Sequence, residues 1–385
     1  MPAPIYLDHA ATTPVRPEVM EAMLPYFGPR FGNPSSVHRW GREARAALDE
    51  ARERVAQALG ASPDELCFTS GGTEGDNLAV LGSWRAVRAT RPALVTTPIE
   101  HKAVLAAVHQ AAREGGEERI VAVDSSGQVD ADSYNAMVDD RTACVSVMWV
   151  NNEVGVVQDI PALAATARAR GALFHTDAVQ ALGKVSIDLR TLPVDYLTIS
   201  GHKIGAPKGI GAMFIRRGTP LEPLMHGGSQ DRGRRPGTEN VAMTIGFARA
   251  VELTLAEQAA ECTRLRAMRD ALEEALLARI PDAVVHGRGA DRAPHILNIS
   301  VPGTDSESLL MALDLKGVAC SAGSACQSGS ITPSHVLSAM GVPTALAVAA
   351  IRMSLGALST EADVQRVAEL FPALIAKARR LAGAT

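Results

Sequence analysis

The sequence predicts an α/β fold built on a mainly parallel sheet. Three observations carry that reading. Short apolar runs alternate with helix-length segments through about the first 250 residues. No internal period of roughly 20 to 50 residues points instead to a solenoid or a propeller. The composition, 46% hydrophobic and 21% charged, is near the globular average and excludes a disordered or fibrous chain.

Taken in order, residues 39–59 read as a helix that Gly60 stops, 65–69 as a strand, and 73–89 as the next helix. Further strands are expected at 94–97, 119–123, 143–150, 173–177, 196–200 and 212–215, many of them separated by helix-length stretches. From about residue 250 the pattern changes. A long amphipathic helix runs to roughly 278, short strands follow near 298–301 and 317–321, and helices are expected from there to the end. This reads as a second, α+β domain, with no Pro- or Ser-rich linker to mark the boundary.

The chain has 385 residues, enough for two domains or one large domain with an appendage. Its net charge of -4, its pI near 6.2 and its 4% aromatic content give no footprint for direct nucleic-acid binding. Five cysteines, an odd and scattered set, argue against a secreted disulfide framework and for a reducing compartment. Residues 1–10 lack a basic stretch followed by an apolar one, and apolar runs such as 345–351 fall short of a membrane span. A soluble, cytoplasmic protein is expected.

Four stretches carry chemistry-bearing residues. The first, Thr69-Ser70-Gly71-Gly72-Thr73-Glu74, follows a predicted strand and opens a predicted helix. Free N–H groups at a helix start, glycines and a threonine hydroxyl suit a phosphate, while a plain capped turn is the alternative. It is neither a Walker motif nor a dinucleotide fingerprint. In the second, an apolar strand ends at Asp177 and Gln180 follows three residues on. Ligands of parallel sheets sit beyond such strand ends, although the carboxylate could simply cap the next turn. The third stretch, Ser200-Gly201-His202-Lys203, also follows a strand. Only six of the 38 Lys and Arg residues are lysines, and an amine can lose its proton and attack a carbonyl where a guanidinium cannot.

The fourth stretch is Cys320-Ser321-Ala322-Gly323-Ser324-Ala325-Cys326 and the small residues after it. A cysteine among small residues has few packing anchors and is free to move toward a substrate. Cys67, Cys144 and Cys262 read instead as buried small hydrophobes, and Cys320 as a strand end. The spacing of Cys320, Cys326 and His335 matches no usual zinc pattern, so no metal site is expected. The basic run Arg232-Gly233-Arg234-Arg235 reads as a solvated loop or a subunit contact.

Together with Tyr6-Leu7-Asp8-His9-Ala10-Ala11-Thr12-Thr13-Pro14, Phe31-Gly32-Asn33-Pro34-Ser35-Ser36, Glu100-His101-Lys102 and Val150-Asn151-Asn152-Glu153-Val154-Gly155, these stretches resemble the pyridoxal phosphate-dependent cysteine desulfurases of the NifS/IscS type. The resemblance runs over nearly the whole chain. It implies the fold type I of pyridoxal phosphate enzymes, with a seven-stranded sheet in a large domain over 15–254. A small domain from 1–14 and 255–385 would carry the cysteine loop. It also implies a homodimer with active sites near the subunit interface.

Residue by residue, the resemblance makes Lys203 the lysine of the internal aldimine and His101 the histidine stacked on the cofactor ring, with a part in proton transfer. Asp177 would pair with the pyridinium nitrogen and Gln180 with the phenolic oxygen. Gly72, Thr73, Ser200 and His202 match phosphate ligands, and Thr238 is similar to the residue that reaches the phosphate from the other subunit. Asn152 and Arg352 resemble the pair that fixes the substrate carboxylate, and Cys326 takes the nucleophile's place.

The implied reaction converts L-cysteine to L-alanine. Sulfur is held as a persulfide on Cys326 for a sulfur acceptor or scaffold protein, in iron-sulfur cluster assembly or tRNA thiolation. The Arg-x-Gly-His-x-Cys pattern of the family's other branch is absent. Cys320 and Ala322 before Cys326, and Gln327 after it, depart from the usual loop. Alternatives on the same scaffold are a selenocysteine lyase and a class V aminotransferase. A carrier that has lost catalysis is disfavoured by the presence of Lys203, Asp177 and Cys326 together.

Overall fold

The computed structural model describes residues 3–322, 332–381 and 383. The expectations placed on Cys326 and its neighbours in 323–331 lie outside them. A two-residue strand, β1 (Ile5–Tyr6), opens the chain. Seven strands then form one sheet: β2 (Leu66–Thr69), β3 (Ala93–Thr96), β4 (Glu117–Ile120), β5 (Thr142–Ser146), β6 (Leu173–Asp177), β7 (Tyr196–Ser200) and β8 (Gly211–Ile215). Their spatial order is β2-β8-β7-β6-β5-β3-β4, and β8 alone runs against the rest.

Every residue of β5, β7 and β8 is buried, as expected of strands covered on both faces, whereas edge strand β4 (Glu117–Ile120) is half exposed. The expected helix Arg39–Leu59 lays Ala44, Leu48, Ala51, Val55 and Leu59 on the core, one face at helical spacing. It stops where Gly60 turns left-handed at φ 74°. The helix expected over 73–89 is interrupted. It runs as Gly72–Asn77, widens to a π turn at Leu78–Gly82, and resumes as Ser83–Val87. At that turn the Glu222 amide donates to Gly82 O at 3.0 Å, a carbonyl used from outside the helix.

The helix expected from about 250 begins earlier and spans Val241–Arg279, with Asn240 accepting from Met243 N as its cap. Its first turns pack Phe247, Ala248 and Val251 on the large sheet's core, and its last turns pack Leu265, Met268, Leu272 and Leu276 on a second core. That second core also takes Ile5 and Leu7 from the start of the chain, Leu297 and Ile299, and Ile351, Met353 and Phe371.

Three short strands, β9 (Val284–Val285), β10 (Ile296–Ser300) and β12 (Ala350–Ser354), form an antiparallel sheet ordered β9-β10-β12, and β1 pairs parallel with β11 (Val318–Ala319). Strand β12 corrects the expectation of helices to the end. Its five residues, Ala-Ile-Arg-Met-Ser, are all buried, and so short a stretch carries no periodicity to tell strand from helix. Bridges Asp8–Ser354 and Ser321–Arg352 tie both small ladders to β12. Cys67 and Cys144 are buried as expected, but Cys262 is only half-buried on the long helix.

Candidate active site

Strands β2, β5, β6 and β7 point the same way, and their carboxyl ends border one cleft of about 310 Å³. After β2 the chain turns through Ser70 and Gly71, whose φ of 149° favours glycine, into the helix beginning at Gly72. Glu74 shapes that turn by accepting from Ser70 N at 2.7 Å. Gly72 and Thr73 face the cleft from this side, with Ser200 and His202 from the end of β7. His202 Nδ1 lies 3.2 Å from Thr12 Oγ1.

Asp177 ends β6 as a buried carboxylate, and its Oδ1 accepts from Val179 N at 2.8 Å. Burial pushes its pKa up, and the Val179 N–H, His101 and Lys203 pull it back toward the ionised form. Gln180, at the next turn, donates through Nε2 to Ala10 O at 2.8 Å and accepts at Oε1 within 3.4 Å of His295 Nε2.

Lys203 sits in the short 3-10 turn Gly201–Lys203 that follows β7. Its Nζ donates to Ala10 O at 2.6 Å and Ala11 O at 2.7 Å. Burial, and next the Arg352 charge, bring the amine down to about 8 against the opposing pull of Asp177 and Asp8. An amine so poised is neutral in a useful fraction near neutral pH.

His101 caps the helix Lys102–Arg113, accepting from Ala103 N at Nδ1. That bond leaves Nδ1 as acceptor and assigns the neutral ring's proton to Nε2. The ring keeps an exposed edge, yet the protein around it lowers its pKa, with Lys203, His335 and Lys102 adding to the effect and Asp177 opposing it.

Arg352 enters from β12 almost fully buried, with Nη1 donating to Asn152 O at 2.9 Å and Nη2 to Asp8 Oδ1 at 2.7 Å. Asn152 lines the same cleft. Residues drawn from positions 72 to 352 in sequence thus meet in one place. Thr238 does not join them. It lies in a separate cleft with Ser70, Asp231 and Arg235, where Arg235 Nε donates to Glu74 Oε1 at 3.0 Å. Cys326 lies outside the described residues. Cys320, just past β11, is partly buried against the second core, and burial pushes its thiol up to about 12.

Sequence reasoning missed two acids here. Asp76, in the helix Gly72–Asn77, was not singled out from the sequence, yet it is buried in the cleft, its Oδ1 without a hydrogen-bond partner and 3.7 Å from His175 Nε2. Burial first, and next the neighbouring charge of Asp177, raise its pKa well above the usual carboxylate value, with Thr198 pulling the other way. Asp8 stood in plain view within Tyr6-to-Pro14, but nothing in its spacing marks it as the partner of a residue 344 positions away.

The sequence matches the family described as Aminotransferase class-V over residues 5–367. It is 47% identical to a cysteine desulfurase of Gluconacetobacter diazotrophicus, over 98% of this chain and 94% of that one. It is 44% identical to the cysteine desulfurase IscS of Dictyoglomus turgidum, over 98% of this chain and 96% of that one. A solved NifS-like protein superposes with a TM-score of 0.91 at 35% identity, covering 97% of this chain and all of that one.

Proposed function

The chain belongs to the class-V aminotransferase family, and from that premise we propose that it is a pyridoxal phosphate-dependent cysteine desulfurase, converting L-cysteine to L-alanine and passing the sulfur to an acceptor protein. The observation that carries the reading is Lys203, an amine lowered to about 8, held beside a buried acid and within one cleft of a buried guanidinium. The residues fit the cofactor. Gly71 and Gly72 leave a turn open to a phosphate, with Thr73, Ser200 and His202 around it, and Asp177 is a buried carboxylate suited to a protonated ring nitrogen. When bound, pyridoxal phosphate supplies an aldehyde for the substrate amine and a ring that takes up the electron pair left by α-proton loss.

The chain's own residues do the rest. Arg352 and Asn152 hold the α-carboxylate, the guanidinium being suited to it by shape and charge. Lys203 Nζ, once deprotonated, takes the α-proton, and the two carbonyls of Ala10 and Ala11 keep that amine in place before it acts. His101, with its proton on Nε2, is the proton donor to the substrate carbon left with the electron pair when the Cβ–S bond breaks. Gln180, anchored on Ala10 O, keeps a second amide hydrogen for an oxygen in the cleft. The Cys326 thiolate forms the S–S bond to the substrate sulfur as the substrate's Cβ–S bond breaks. The electron pair of that bond stays on the substrate carbon, which is protonated to give alanine. Thr238, outside this chain's own cleft, supports a homodimer in which it serves the partner's site.

The test is turnover of L-cysteine by the protein with pyridoxal phosphate and a thiol reductant. Alanine and sulfide in equal amounts are expected. Alanine without sulfide, or keto-acid formation in its place, would overturn the assignment.

A further inference from the structure

Asp8 is given no contact with the substrate above, yet both its backbone and its carboxylate are held by several bonds. Ala11 N and Thr12 N donate to Asp8 O at 3.0 and 3.3 Å, and Tyr6 Oη donates to the same oxygen at 3.1 Å. A bridge to Ser354 seats Asp8 beside β12. Its carboxylate takes Arg352 Nη2, while Asn152 O takes Nη1 and the Arg352 backbone is bonded to Ser321 on one side and paired with Asn298 on the other. Besides Asp8, the Asn152 carbonyl holds the guanidinium through Nη1. Asp8 itself does not line the cleft, so an arriving carboxylate would add to this pair rather than replace it.

We propose that Asp8 is a tuning counter-ion. Its negative charge weakens the grip of Arg352 on an α-carboxylate, so that a product bearing the same carboxylate as the substrate is released. The inference rests on the reading of Arg352 as the carboxylate receptor. L-Cysteine and L-alanine carry identical carboxylates, so attraction at that end is uniform binding. It lowers KM and holds the product equally, and it gives no gain in kcat. An acid fixed behind the guanidinium offsets that attraction. At an effective dielectric near 20, a charge several ångströms from the bound carboxylate changes affinity by about tenfold after partial screening. Asparagine at position 8 keeps the shape and an acceptor oxygen for Nη2, so the substitution removes the charge and leaves the geometry.

The experiment uses the cofactor-loaded enzyme and inhibition by propionate, a carboxylate without an amine, and by ethylamine, an amine without a carboxylate. In Asp8→Asn the propionate inhibition constant falls about tenfold. The L-cysteine KM falls with it, kcat does not rise, and ethylamine inhibition is unchanged. If Asp8→Asn does not fold, Asp8→Ser, which also removes the charge, gives the same reading. Asp8→Glu, restoring the charge, returns propionate inhibition toward the wild-type value. Unchanged or weakened propionate inhibition in the charge-removing variants overturns the proposal, as does equal tightening of ethylamine. Arg352→Ala separates the two levels. If propionate inhibition survives that change, the receptor reading fails. If it is lost there while the Asp8 variants match wild type, only the role of Asp8 fails.

Discussion

Glu100 offers a prediction whose size follows from its setting. The side chain is fully buried, with Thr97 Oγ1 donating to it at 2.7 Å and Met148 N reaching both carboxylate oxygens at 3.0 Å. Burial pushes its pKa up to about 8 against the Thr97 and Met148 donors, which pull it down, while the charge of Asp177 adds to the rise. In the unfolded chain the group titrates near 4.3. Between those values the folded state holds a proton that the unfolded state has lost, so folding stability falls as pH rises through this window. The full loss is roughly 5 kcal/mol at 1.36 kcal/mol per unit, of which about 3 kcal/mol falls between pH 5.5 and 8.5. Glu100→Gln mimics the protonated form and removes the titration. Urea unfolding of both proteins at the two pH values should show the variant gaining about 3 kcal/mol on wild type at the higher pH. Equal pH dependence of the two proteins, or a wild type that becomes relatively more stable as pH rises, would refute the reasoning.

Three further outcomes are expected of the cleft. Lys203→Ala should abolish turnover and the visible absorbance of added pyridoxal phosphate, and borohydride-fixed cofactor found on Lys208 would displace the assignment. Asp177→Asn should keep the fold while activity collapses, because a neutral amide cannot hold a ring proton. Near-normal turnover would leave Asp177 as a turn cap for Val179 N alone. Cys320→Ser should stay largely active, since a thiol raised to about 12 is scarcely ionised at neutral pH, whereas Cys326→Ser should bind L-cysteine and form no persulfide. The reverse pattern in a persulfide-trapping assay would move the nucleophile to Cys320.

The elements the sequence revealed best are those in which one physical signal stands alone. The helix Arg39–Leu59 has an apolar face at helical spacing and a glycine that must turn left-handed, and both features are local. Strands such as Gly211–Ile215 were found because continuous burial leaves a mostly apolar run. Strand β12 failed the same test, its apolar stretch continuing from the short helix Thr344–Ala347 with no turn residue between. Thr73, Asp177, Ser200, His202 and Lys203 were legible as motifs at strand ends, a property of local sequence, whereas His101, Asn152 and Arg352 came only from the resemblance. Asp76 was not legible, because its burial depends on β7 and the Asp177 strand end, elements more than 100 residues away.

That contrast explains how the N-terminal stretch acts. From Asp8 to Ala11 the chain leaves the second core, where Ile5 and Leu7 are packed, and crosses to the end of the large sheet. Within four residues it presents one carboxylate to Arg352, one carbonyl to both Gln180 and Lys203, and another carbonyl to Lys203. The Lys203 amine just past β7 and the Arg352 guanidinium on β12 therefore both bond to the same short segment. A shift of the second core against the sheet would displace Asp8 with Arg352, because the backbone bridge to Ser354 binds them to one strand. The carbonyls of Ala10 and Ala11 would lose their geometry with Lys203 in the same movement. Loosening this crossing by substituting Tyr6, whose hydroxyl bonds both Asp8 O and Thr12 O, therefore bears on carboxylate binding and on the lysine together, although Tyr6 reaches neither.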